Sequence, residues 1–214
     1  MFGWLRRLRA GHRPPPLPPV LWRQVLSHYP FLADRPADEL QRLHDLTARF
    51  LQAKEFTGAQ GLVITDEIAV AIAAQAVLPV LHLGLDWYDD FVGIVVHPGE
   101  VVARRQAVDE AGVVHDWDEV LAGEAMDRGP VMLSWQDVQE AGSAFEQGYN
   151  VVIHEFAHKL DMRDGQSDGC PPLPSRAARQ QWLATMQAGY EAFREKVIVA
   201  ERFGGEPTWL DPYG

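Results

Sequence analysis

The sequence predicts an α+β domain with helices arranged around a small sheet. Three observations carry this reading. Apolar residues recur at helical spacing towards both ends of the chain, short β-branched runs cluster in the middle, and turn residues separate the two kinds of segment. The 214 residues are enough for one substantial core. The expected organisation is a basic, proline-rich tail over residues 1–20, an N-terminal helical layer over 21–90, and a region carrying the chemistry over 91–214.

Taken in order, the chain opens on a cluster of prolines (Pro14, Pro15, Pro16, Pro18 and Pro19) that reads as an extended strap and not a folded element. Leu40, Leu43, Leu46, Phe50 and Leu51 mark a helix over 37–53, with Pro36 suited to its start. Thr65 caps a second helix over 66–78, which sets Ile68, Ile72 and Ala76 on one side and is limited by Pro79. Val92–Val96 and Val101–Ala103 are strands separated by the turn His97-Pro98-Gly99, and Val131–Trp135 is a third. Residues 109–130, rich in acid and glycine, read as loop with a short turn of helix. Asn150 caps a helix beginning at Val151, and Gly165 follows its end. After a Gly-, Asp- and Pro-rich loop from Asp164 to Pro174, Ser175 opens a long amphipathic helix. Its stripe is Ala178, Trp182, Met186, Tyr190, Phe193 and Val197.

Composition narrows the function. Apolar residues make up 47% and charged residues 23%, as expected of a water-soluble globular enzyme. A net charge of -11 argues against general affinity for DNA, RNA or anionic lipid. Arg6, Arg7, Arg9 and Arg13 read as a solvated basic tail. No apolar run follows them, so they do not form a secretion signal. The longest apolar stretch, Ile68 to Leu85, is interrupted by Gln75, Pro79 and His82 and does not make a membrane span. Cys170 is alone and forms no internal disulfide. Together these features point to the cytoplasm.

The chemistry concentrates in His154-Glu155-Phe156-Ala157-His158. Two histidines four residues apart on a helix share a face, about one turn apart, and can bind one metal ion together. Neutral imidazole suits Zn²⁺, whose catalytic sites take three protein ligands and leave one position open. Glu155, next to the first ligand, is placed to take a proton from a zinc-activated water and pass it to the leaving amine. Val151, Val152 and Ile153 before the motif and Leu160 after it give it the buried-helix setting that this zincin-like chemistry requires. The third ligand is less plain. An elongated motif would place histidine at 164 and glycine at 161, where this chain has Asp164 and Asp161. Asp164 remains a candidate carboxylate, while Glu191, Glu195 and Glu201 read as solvated helix charges. His97, at a strand end before Pro98, and His115, in a loop, could line a cleft but read rather as surface residues, and Cys170 is discounted as a ligand.

Several blocks resemble the Mlc titration factor A family of bacterial zinc peptidases. They are Gly129-Pro-Val-Met-Leu-Ser-Trp135, Asn150-Val-Val-Ile-His-Glu-Phe-Ala-His-Lys-Leu-Asp-Met162, Asp168-Gly-Cys-Pro-Pro-Leu173, the stretch from Ile72 to Tyr88, and Trp209-Leu-Asp-Pro-Tyr213-Gly. The family in turn resembles the catalytic domain of anthrax lethal factor in its active-site layout. The resemblance implies a zinc-dependent, aminopeptidase-type activity on short peptides. It makes His154 and His158 zinc ligands and Glu155 the general base, and it assigns Tyr213 the hydrogen bond to the oxyanion. It places the third ligand, a glutamate, about two helical turns after that tyrosine and so beyond Gly214. It also implies a second role, binding and sequestering a transcriptional repressor of sugar uptake. Val131–Trp135 or Val101–Ala103 would hold a substrate backbone by edge pairing.

Overall fold

The computed structural model describes residues 16–108, 114–144, 148–206, 208 and 210, with the backbone alone over 102–121 and at 144. Its first helix, α1 (Pro19–His28), begins inside the proline cluster. Proline suits a first helical turn, where its missing N–H has no partner to lose. Leu17, just before it, is buried in the core. Of the expected tail, residues 1–15 lie outside the described residues.

A short α2 (Pro30–Ala33) leads into α3 (Ala37–Ala53), which falls on the expected bounds and buries Leu43, Leu46, Phe50 and Leu51. Helix α4 (Asp66–Ala76) starts where Thr65 Oγ1 accepts a hydrogen bond from the Ile68 amide at 3.2 Å. It is not one-sided: every residue from Ile68 to Ala76 is buried. An all-round apolar helix belongs in the middle of a core, and its alanines let neighbouring elements approach closely. The one polar side chain in that run, Gln75, donates from Nε2 to the Ala71 carbonyl at 3.1 Å.

Among the described residues four strands form one sheet in the order β1 (Glu55–Gly58), β2 (Gly93–His97), β6 (Val131–Ser134), β5 (Gly123–Ala125). β1, β2 and β6 run parallel, with Glu55 opposite Gly93 and Ile94 opposite Val131. β5 closes the sheet antiparallel to β6, with Gly123 opposite Leu133. Ile94, Val96, Val131 and Leu133 are buried. A two-stranded ribbon, β3 (Val101–Val108) with β4 (Val114–Leu121), is inserted between β2 and β5. Of the loop expected over 109–130, residues 114–121 and 123–125 are strand, and 109–113 lie outside the described residues. Its acidic residues have low strand propensity, and the ladder to β3 overrides that preference. β6 stops one residue before Trp135, which opens α5 (Trp135–Ala144). Ser134 Oγ accepts from the Asp137 amide there at 3.3 Å.

Helix α6 (Val151–Asp161) runs into a 3₁₀ turn at Met162–Asp164, and Gly165 ends it in the left-handed conformation at φ 87°. The last helix, α7 (Arg176–Phe203), is capped by Ser175 as expected, but none of its residues is buried. Of its stripe, Met186 and Tyr190 are exposed and Ala178, Trp182, Phe193 and Val197 are half-buried. The helix is moored at its start, where Trp182 Nε1 donates to the Gly169 carbonyl at 2.8 Å and Arg179 pairs with Asp168 at 2.7 Å. No helix among the described residues is long and apolar enough to cross a membrane.

The core is knit by Phe50, Tyr88, Phe91 and Phe156, whose rings meet edge-on or tilted at centroid distances of 5.2 Å to 6.2 Å. Tyr88 is buried and donates to the Ala76 carbonyl at 3.1 Å. Burial holds its phenol well above the ordinary value of 10.0. The folded protein thus keeps this proton where the unfolded chain releases it. The resulting stability is complete below about pH 10 and is lost as pH rises towards the folded value. Tyr88→Phe is expected to cost about 1 kcal/mol at neutral pH. It should also flatten the loss of stability between about pH 9 and about pH 11. Urea titrations across that range check both effects.

Candidate metal centre

Three constraints fix the position and roll of α6. At its start Asn150 Oδ1 accepts from the Ile153 amide at 2.9 Å, and Asn150 Nδ2 donates to Gln75 Oε1 at 2.8 Å. The cap is thereby tied to the central helix α4. Val151, Val152 and Phe156 face the core. The third constraint lies on the Glu155 side, where the helix meets β5.

His154 and His158 are half-buried, one turn apart, with rings edge-on at 4.7 Å. Their Nε2 atoms are 3.1 Å apart. Two nitrogens on a tetrahedral zinc at ordinary bond lengths stand roughly 3.3 Å apart. The pair therefore fits one small metal ion with little adjustment. Burial first, and the neighbouring His158 second, lower the pKa of His154. The neutral imidazole so favoured is the form that binds metal.

Glu155 points to the edge of the sheet and is only 3% exposed. Burial pushes its pKa up to about 7, the Ala125 amide that hydrogen-bonds it works against the rise, and the charge of Glu124 adds to it. The approach is close. A Cβ on Gly123 would lie 2.6 Å from Glu155 Cγ and 2.7 Å from Oε1. Gly123 is a clearance for the carboxylate. Of the two strands expected to hold a substrate, β6 lies between β2 and β5 and so offers no free edge, and β3 belongs to the separate ribbon. The edge strand packed against α6 is another, β5.

Among the described residues no third His, Cys, Asp or Glu joins the two histidines in a metal-sized group. Asp164 Oδ1 accepts from the Gln166 amide, and Glu191 pairs with Gln187 along α7. Tyr213 lies outside the described residues. His97 is half-buried, and among the described residues neither of its buried ring nitrogens finds a hydrogen-bond partner. His115 sits in β4, not in a loop. Cys170 is buried with its thiol towards the Pro171 carbonyl. Gly123, Ala125 and Lys159 were not singled out by the sequence. The one available signal is the turn-forming Asp127-Arg128-Gly129-Pro130 before the β6 run, which marks a hairpin and hence a partner strand.

A family model described as Glucose-regulated metallo-peptidase M90 matches residues 2–214. An uncharacterized protein of Synechocystis sp. is 36% identical over 201 residues, covering 93% of this chain and 71% of that protein. Proteins named Mlc titration factor A from Yersinia pestis and Yersinia pseudotuberculosis are each 36% identical over 156 residues, covering 72% of this chain. The chain spans 57% of the length of these Yersinia relatives by that measure.

The raised carboxyl pKa has a consequence for stability. The folded protein binds the Glu155 proton more tightly than the unfolded chain, so folding loses free energy as pH rises from 4.5 to about 7. In metal-free protein Glu155→Gln, which can still accept from the Ala125 amide, is expected to raise stability by about 3 kcal/mol near pH 8 and by almost nothing near pH 4. Thermal unfolding in the presence of a chelator measures the difference.

Proposed function

The chain belongs to the Glucose-regulated metallo-peptidase M90 family, and we propose that it carries the metal-binding and general-base part of a zinc aminopeptidase site acting on short peptides. The observation that carries this reading is the 3.1 Å separation of the His154 and His158 Nε2 atoms beside a buried glutamate. A third protein ligand would be a carboxylate from outside the described residues. Zinc, when bound, supplies a Lewis acid that polarises both water and the scissile carbonyl. Glu155 holds a proton at its carboxylate between attack and departure, taking it from the nucleophile and giving it to the leaving amine.

Substrate is positioned by β5. Ala122 and Met126 bond to β6, through Ser134 N to Ala122 O at 2.7 Å and Met126 N to Pro130 O at 3.3 Å. The strand alternation turns the N–H and C=O groups of Gly123 and Ala125 the other way. Ala125 N–H is turned towards Glu155, and the remaining outward groups of β5 would pair with an extended peptide. Tyr213 is assigned the hydrogen bond to the developing oxyanion by family resemblance.

A second reading comes from the relatives named Mlc titration factor A. By that likeness the chain also binds a repressor protein, and that binding does not need Glu155. Glu155→Gln is expected to lower peptide turnover by about 10²- to 10⁴-fold without changing zinc content. His158→Ala should lose the zinc. Peptide hydrolysis with metal analysis tests the peptidase reading, which fails if Glu155→Gln turns over like the wild type. Repressor capture by Glu155→Gln should match the wild type.

A further inference from the structure

Helix α6 carries a second buried charge that the proposed chemistry does not use. Lys159 is 1% exposed. It sits four residues after Glu155 and so on the same face, one turn further along. Its ammonium donates to the carbonyls of Met126 at 2.7 Å and Gly129 at 3.2 Å and lies 4.5 Å from the Phe91 ring centroid. Both carbonyls belong to the tight turn joining β5 to β6. That turn is closed by Gly129 N to Met126 O at 3.1 Å and carries Arg128 at φ 48°, a left-handed conformation disfavoured for arginine. An apolar side chain could fill the same space without removing a charge from water. What it could not do is point several N–H donors at the carbonyls of a turn.

The placement of β5 depends on such contacts. The strand has three residues and, among the described residues, pairs on one flank, with β6. Its other flank meets α6, where Ala125 N–H binds Glu155 and Gly123 leaves room for it. From these contacts we propose that Lys159 is a positioning residue: it pins the β5–β6 turn to α6 and thereby sets the register in which Glu155 meets the edge strand. Glu155 and Lys159 then act as the two jaws of one clamp, at the strand and at the turn. This inference rests on the peptidase reading for its catalytic consequence, but not for its structural one.

Two variants of the full chain test it. Lys159→Met removes the pin at nearly constant volume. Gly123→Ala forces Glu155 off the strand from the opposite side. Hydrogen exchange in zinc-free protein is expected to speed up at least about tenfold at Ala125 and Met126 in Lys159→Met, while the α6 amides around His154 and His158 keep their protection. With zinc restored, both variants should hold the wild-type amount of metal. Turnover number should fall about tenfold or more in each, and KM for peptides should rise in Lys159→Met. A purely structural lysine would lower the melting temperature and leave kcat and KM of the folded protein alone, which overturns the proposal. Unchanged exchange at Ala125 in folded Lys159→Met also overturns it. If Lys159→Met does not fold, Gly123→Ala decides alone, through unchanged zinc with lowered kcat or through wild-type kcat. A wild-type protein that holds zinc and hydrolyses no peptide sinks the peptidase reading, and the exchange result still decides the clamp.

Discussion

Helix α6 buries a carboxylate and an ammonium one turn apart, and the β5–β6 hairpin has to satisfy both. Few constraints on a fold are stricter, because a buried charge without hydrogen bonds is far more costly than a buried methylene. The hairpin meets it largely with backbone groups, the Ala125 amide for Glu155 and the Met126 and Gly129 carbonyls for Lys159, and the charges of Asp90 and Asp127 also favour the ammonium. With that face committed to the hairpin and Phe156 committed to the aromatic core, the helix cannot roll. His154 and Ala157, on the remaining face, are left towards the open side with His158.

The same economy extends to the loop that enters the sheet. Lys54, at the end of α3, is buried and donates to the carbonyls of Tyr88 and Phe91. Its ammonium lies 3.8 Å from the Phe91 ring centroid, and Lys159 reaches the same ring. Burial pushes the Lys54 pKa down to about 8, partly offset by Asp90. One phenylalanine thus takes two cations, one from the helical layer and one from α6, and ties the first half of the chain to the centre.

Much of this was legible in the residues. The helix of the His-Glu-x-x-His motif, its Asn150 cap and its Gly165 stop follow from local chemistry, and local chemistry reads well from sequence. The Ala37–Ala53 helix was equally plain, because Leu43, Leu46 and Phe50 repeat with its period. What could not be read depends on neighbours distant in the chain. Gly-Glu-Ala at 123–125 looks like loop until β6 pairs with it. The stripe on α7 has the spacing of a buried face, yet periodicity says which residues share a face and not what covers it. Lys159 is indistinguishable in sequence from the solvated lysines of other helices, since its partners are carbonyls, which every residue has. The imidazole pair and its glutamate were visible, but the strand that orients the glutamate was not.

The inserted β3–β4 ribbon has a bearing on how the molecule reaches this state. It stands between β2 and β6, strands that must lie side by side in parallel, so Ile94 and Val131 can meet only after the intervening chain has closed into a loop. β5 in turn has no partner until β6 is in place. Pairings of this kind form slowly, whereas the α3–α4 layer is built from contacts nearer in the chain. On that ground the helical layer is expected to assemble before the parallel strands, and the edge strand last. In that order Glu155 and Lys159 would find their partners in the final step, so the two most costly side chains of α6 would stay in water until the rest of the chain is ready to receive them.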